Sequence, residues 1–197
     1  MEAHGFGGVV LSGGGAARLG GADKATIEIG DRTLLEHALA ALGDATEVVV
    51  VGDQVPTSRP VTFAREDPRG GGPVAGLLAG IGAFARTPAL VVALAVDMPL
   101  VTSDTISRLV AAVHDDGATL VDAEGRTQYL CAAYSVAALD RARAALDDRS
   151  GHGVPMRRFV AGLRLAEVDD ADDEAHDVDT WDDLVEVRRR IDGRDRS

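Results

Sequence analysis

The chain has 197 residues, of which 46% are hydrophobic but only 4% aromatic, so its core must be assembled from Val, Leu, Ala and Ile. A net charge of −12 argues against non-specific nucleic-acid or anionic-membrane binding, both of which depend on basic surface. The single cysteine, Cys131, excludes an internal disulfide framework and a multi-cysteine zinc site. No leader pattern is visible and no apolar run approaches the roughly 20 residues of a membrane span, so the chain reads as one cytoplasmic domain.

Phe6 to Leu11 reads as a short buried strand that runs into a glycine-dense loop, Ser12, Gly13, Gly14, Gly15, Gly20 and Gly21, carrying the cations Arg18 and Lys24. Glycines let a ligand approach the main chain, and successive N–H groups with nearby cations suit a phosphate chain. A P-loop is excluded because this loop ends Asp23-Lys24-Ala25 rather than Gly-Lys-Ser/Thr. The dinucleotide fingerprint fails because Arg18 stands where its third glycine belongs. Lys24 is the only lysine, every other basic side chain being arginine. A pocket that admits a compact point charge but not a planar fork accounts for this; chance is the competing account.

Thr26 to Ile29 reads as a short strand, and Thr33-Leu34-Leu35-Glu36 as a capping box opening a helix to about Leu42. Thr46 to Val51 is a valine run suited to a parallel strand buried on both faces, and Val61 to Ala64 reads as another strand. Gly70 to Pro73 lead into a small-residue helix over Val74 to Ala85. The apolar strand Leu90 to Val96 stops at Asp97, where open α/β sheets bind ligands. Thr102 and Ser103 can cap the next helix, to about His114, which leaves Asp97 for a magnesium ion.

Beyond this come strands at Ala118 to Asp122 and Thr127 to Tyr134, a helix over Val136 to Leu146 and a short helix from Pro155 to about Gly162. A strand over Leu163 to Val168 follows, then the acidic run Asp169 to Glu174, read as a solvated loop, and a final helix capped by Thr180 to about Ile191. Residues 192–197 form a polar tail. The alternation predicts an α/β fold: a mainly parallel sheet with helices on both faces, and later strands pairing antiparallel at its edge. None of the five histidines has ligand-like spacing, and His152 is the one to check near an acceptor.

The pattern Leu11-Ser12-Gly13-Gly14, Arg18-Leu19-Gly20, Asp23-Lys24 resembles the signature loop of a nucleotidyltransferase family. That family includes molybdenum cofactor guanylyltransferase, sugar-nucleotide pyrophosphorylases and cytidylyltransferases. Further matches follow in order: Gly72-Pro73-Val74-Ala75-Gly76, Asp97-Met98-Pro99, the strand Gln128 to Tyr134, and Asp177-Val178-Asp179-Thr180. The resemblance implies a three-layer Rossmann-like nucleotidyltransferase fold over residues 1–191, with a nucleotide-binding half to about 100 and an acceptor half beyond it. It implies that Arg18, Lys24 and Asp97 are catalytic, and that Leu11, Ser12, Gly13, Gly14, Lys24, Asp67 and Asp97 contact nucleotide. Mg2+ would be held by Asp97 and Asp179.

Among family members the small size, Asp-Met-Pro and Leu-Cys-Ala-Ala-Tyr look most like the guanylyltransferase. The implied substrates are then GTP and molybdopterin, with transient contacts to other cofactor-biosynthesis or acceptor proteins. Asp177 and Asp179 depart from that member's Asn-Val-Asn-Thr and match the cytidylyltransferase-like relatives. A cytidylyltransferase-like enzyme, or a nucleotide-binding subunit without turnover, is the alternative.

Overall fold

The computed structural model describes residues 5–13 and 23–194, with side chains described as far as 191. Arg18 and Gly14 lie outside those ranges. A seven-stranded sheet organises the described residues, in the order β5-β4-β1-β6-β8-β7-β9. Its strands are β1 (Phe6–Leu11), β4 (Glu47–Val51), β5 (Thr62–Ala64), β6 (Leu90–Ala95), β7 (Gly117–Val121), β8 (Thr127–Ser135) and β9 (Leu165–Asp169). A two-stranded ribbon of β2 (Glu28–Ile29) and β3 (Arg32–Thr33) stands apart from it.

β1 pairs parallel with both β4 and β6, β4 pairs parallel with β5, and β9 pairs parallel with β7. Only β8 runs the other way, antiparallel to β6 and β7. The antiparallel strand therefore lies inside the sheet rather than at its edge, as the sequence had suggested; β9 takes the edge. The reason is connection length. β7 joins β8 through the short loop of residues 122–126, whose Gly125 has a φ of 79° that favours glycine, so β8 folds back antiparallel beside β7, and the chain passes straight from Ser135 into the helix that begins at Val136.

The central strands are apolar on both faces because both are covered. Val10, Val48, Val50, Val92 and Leu94 face α1 (Leu34–Ala41), α3 (Ser103–Ala112) and α6 (Trp181–Arg194). Val9, Leu11, Val49, Val51, Val91 and Ala93 face α2 (Gly72–Gly82), α4 (Val136–Ala144) and α5 (Met156–Phe159). Period-two alternation thus sorts one valine run into two cores. Each fully buried Val or Leu contributes about 1.5–3 kcal/mol, which offsets the scarcity of aromatics.

Three local readings change. Thr33 does cap α1, accepting from the Glu36 amide at 3.2 Å, but the Glu36 carboxylate turns to Ser58 instead of completing the box. The reciprocal box is at α3, between Thr102 and Thr105, and this helix ends before His114. The acidic run is not simply solvated: Glu174 is buried, accepts from Thr105 Oγ1 and pairs with Arg108, pinning the segment before Asp177 to α3. Cys131 is fully buried and burial pushes its thiol up to about 12, so it acts as a small core hydrophobe.

Candidate active site

A cavity of about 630 Å³ opens where β1, β4 and β6 end. Parallel strands deliver their carboxyl ends there, and the chain must leave each strand in a loop, so polar groups collect where the apolar core stops. One wall is backbone and small residues: Leu11, Ser12 and Gly13 after β1, and Gly72, Pro73 and Gly76 at the start of α2. Gly76 and Gly80 let α2 sit close on the sheet, since a Cβ at Gly80 would stand 2.6 Å from Val9 Cγ1. Among the described residues no side-chain hydrogen bond caps the first turn of α2, and because Gly72 and Pro73 line the cavity the positive end of the helix dipole lies beside it.

The other wall is charged. Asp97 follows β6, and the Val178 amide donates to the Asp97 carbonyl at 2.8 Å, which carries Asp179 alongside. The Asp183 carboxylate accepts from the Asp179 and Thr180 amides at 3.0 and 2.7 Å, fixing that segment on the start of α6. Lys24 opens a 3-10 turn, anchored because the Asp23 carboxylate accepts from the Ala25 amide at 3.0 Å. Its Nζ donates to Asp97 Oδ2 at 2.8 Å and to Asp179 Oδ1 at 2.7 Å. Burial opposes the ammonium charge, but hydrogen bonds to Asp179 and Asp97 and their charges outweigh it, so Lys24 is held above its ordinary value.

Of the residues read from the sequence, Leu11, Ser12, Gly13, Lys24, Asp97 and Asp179 all line this cavity. Asp67 does not: it is exposed, and its neighbour Glu66 lines the wall, its Oε1 accepting from the Gly70 amide at 3.0 Å. Backbone direction at the end of a short strand decides which of two adjacent acids turns inward, and no periodic pattern extends that far. The Ser12 and Gly13 amides also differ from expectation. Both donate to the Val51 carbonyl, at 3.0 and 3.2 Å, and Ser12 Oγ donates to it at 3.1 Å. They tie β1 to β4 rather than pointing at a ligand. Gly52 packs closely beside them: a Cβ there would stand 2.0 Å from Ser12 Oγ, and the hydroxyl would have to shift.

Val51, Gly70 and Leu130 also line the cavity; none was a candidate site residue, although Leu130 lies in the strand that carries the family resemblance. His152 lies near the mouth, its Nδ1 3.1 Å from where a Gly71 Cβ would be. Asp177 is exposed. Two carboxylates already holding one cation between them are a donor set that fits magnesium, which takes hard oxygens and completes its shell with phosphate and water.

A mostly parallel sheet with glycine-lined and charged walls at its carboxyl edge defines a nucleotide-handling α/β protein. Residues 8–168 match the model of the MobA-like NTP transferase domain, and the chain belongs to that family. It is 34% identical over 185 residues to a molybdenum cofactor guanylyltransferase of Acidiphilium cryptum, covering 89% of this chain and 90% of that one. Among solved structures it resembles molybdopterin-guanine dinucleotide biosynthesis protein A from Archaeoglobus fulgidus, with TM-score 0.71 and 21% identity over 95% of this chain and 100% of that one. It also resembles 2-C-methyl-D-erythritol 4-phosphate cytidylyltransferase from Thermus thermophilus, with TM-score 0.72 and 22% identity over 94% and 98%. The fold alone therefore does not choose the base. No helix among the described residues is long and apolar enough to cross a membrane.

Proposed function

We propose that this protein transfers GMP from GTP to the phosphate of molybdopterin, with release of diphosphate. The observation that carries the reading is the convergence of Lys24, Asp97 and Asp179 at the carboxyl edge of the sheet. The similarity to a guanylyltransferase over most of the chain supplies the base and the acceptor. An acceptor phosphate is already anionic and needs no strong general base, so catalysis is alignment plus charge neutralisation. Arg18 and Lys24 bind the triphosphate and stabilise the leaving diphosphate. Asp97 and Asp179 would hold Mg2+, which when bound would neutralise phosphate charge. The cavity wall of Leu11, Ser12, Gly13 and Glu66 encloses the nucleoside, and Gly14 and Asp67 are assigned nucleotide contacts on the family resemblance alone.

On this reading residues 1–191 work as one cytoplasmic unit, with nucleotide held by the half up to about 100 and acceptor by the rest. Transient contact with proteins of the same biosynthesis is part of this reading. Mass spectrometry of products after incubation with GTP, CTP and molybdopterin tests the proposal. A guanylylated pterin and diphosphate are expected. Preference for CTP moves the protein to the cytidylyltransferase reading that Asp179 resembles. Nucleotide-dependent thermal stabilisation without diphosphate leaves only the binding-subunit reading.

A further inference from the structure

The Lys24 ammonium and a divalent ion compete for the same two oxygens. Nζ lies 2.8 Å from Asp97 Oδ2 and 2.7 Å from Asp179 Oδ1, inside the space that a magnesium ion bound to both would fill at about 2.0–2.1 Å. Lys24 is 11% exposed and Asp97 23%, so water screens a second cation poorly on the Asp97 side, while Asp179, 45% exposed, leaves the other side open to a ligand arriving from solvent. We propose that Lys24 is a resident counter-cation that keeps this site closed to divalent metal until a nucleoside triphosphate draws the ammonium away. Metal and nucleotide then load together. The inference rests on reading the site as a metal-dependent nucleotidyl-transfer centre.

The charges support this order. Lys24 contributes one positive charge between the two carboxylates, and its withdrawal makes both oxygens it holds more attractive to a divalent ion. A triphosphate supplies both parts of the exchange, acceptor oxygens for the ammonium and additional ligands for the metal. The backbone need not move. Asp23 anchors the turn through the Ala25 amide and Ala25 is buried, so the swing belongs to the four-carbon side chain of Lys24. An arginine at this position would bridge the carboxylates with a planar fork that is harder to release, which gives the chain's only lysine a second reason to be one.

Protein-bound Mn2+ measured by electron paramagnetic resonance tests this without reference to turnover. Four samples are compared: wild type alone, wild type with a non-hydrolysable α,β-methylene GTP, Lys24→Met alone, and Lys24→Met/Asp179→Asn alone. Lys24→Gln, checked for folding by circular dichroism, stands beside Lys24→Met. Wild type should take up Mn2+ at least about tenfold more tightly with the analogue than without it. Lys24→Met and Lys24→Gln should bind Mn2+ without nucleotide at least about tenfold more tightly than wild type, and Asp179→Asn should erase that gain. If wild type responds to the analogue but neither lysine variant gains affinity, the counter-cation role is overturned and the nucleotidyl-transfer reading stands. If wild type takes up no Mn2+ even with the analogue, that reading fails and the inference fails with it.

Discussion

The two walls of the cavity are built on opposite principles. The wall from β1 and α2 is held by packing and main-chain hydrogen bonds: Gly76 and Gly80 against Leu11 and Val9, and three donors on the Val51 carbonyl. The wall of Lys24, Asp97 and Asp179 is held by charge, across segments that meet only in the folded chain. The first keeps its shape whether or not a ligand is present. The second contains a cation that can be exchanged for another. A site that must admit a charged substrate, then release a charged product, needs a rigid side to align the nucleoside and a replaceable side to handle the phosphates. Substitutions in the charged wall should therefore act on turnover and metal, and those in the packed wall on stability.

The largest effect is expected at Asp97. Asp97→Asn keeps the shape but weakens the metal, and kcat/KM should fall about 10³-fold, roughly 4 kcal/mol of transition-state stabilisation. A magnesium titration with unchanged rates would remove Asp97 from the mechanism. Next comes Lys24→Ala, with kcat down about 10²–10³-fold, roughly 2.7–4 kcal/mol, by analogy with oxyanion-hole donors. The salt bridges to Asp97 and Asp179 add a stability loss of about 1 kcal/mol, modest because Asp179 is 45% exposed. Lys24→Arg should be nearly as impaired; near-normal turnover would make the solitary lysine an accident of composition.

The packed wall was the more legible in sequence, because its signals are local. Glycines after a buried strand and a Gly-Pro helix start both declare themselves within a few residues. The valine runs likewise announced a sheet covered on both faces. Lys24, Asp97 and Asp179 each looked functional, but their mutual contact spans 73 and 155 residues and no spacing rule reaches so far. Glu66 was missed in favour of Asp67 because adjacent acids share every local signal. The place of β8 inside the sheet escaped too: alternation and turn residues announce a strand, while its neighbours are chosen by where the earlier strands already lie.

Gly80 puts the packed wall to the test. An alanine Cβ there meets Val9 Cγ1 at 2.6 Å and Val51 Cγ2 at 3.0 Å, both on buried, β-branched side chains with little freedom. Helix propensity favours alanine by about 1 kcal/mol, but overpacking typically costs about 1–3 kcal/mol. Gly80→Ala should lower the melting temperature by several degrees while leaving the nucleotide-free Mn2+ response as in wild type. A stabilised variant would mean that α2 can lift from the sheet without penalty, and the rigid half of the comparison would be lost. Asp179→Asn belongs to the other wall and should weaken apparent metal affinity in the presence of nucleotide about tenfold, roughly 1.4 kcal/mol, with little change in melting temperature. If magnesium dependence is untouched, Asp179 is not a metal ligand.

Ser12 should give the smallest effect, and it sharpens the contrast most finely. It lines the cavity, so a functional role for its hydroxyl is tempting. The structure assigns that hydroxyl to the Val51 carbonyl, which also accepts from the Ser12 and Gly13 amides. Ser12→Ala removes one of three donors from an oxygen that stays satisfied, and leaves no buried donor unpaired because the hydroxyl goes with it. The cost should lie near the net value of one hydrogen bond, about 0.5–1.5 kcal/mol, and be read in denaturant unfolding. The KM for GTP and the magnesium dependence should not change, since the hydroxyl is engaged by the Val51 carbonyl. A rise in KM of tenfold or more at unaltered stability would show that Ser12 Oγ leaves Val51 to reach the nucleotide, and that the packed wall also exchanges partners during the reaction.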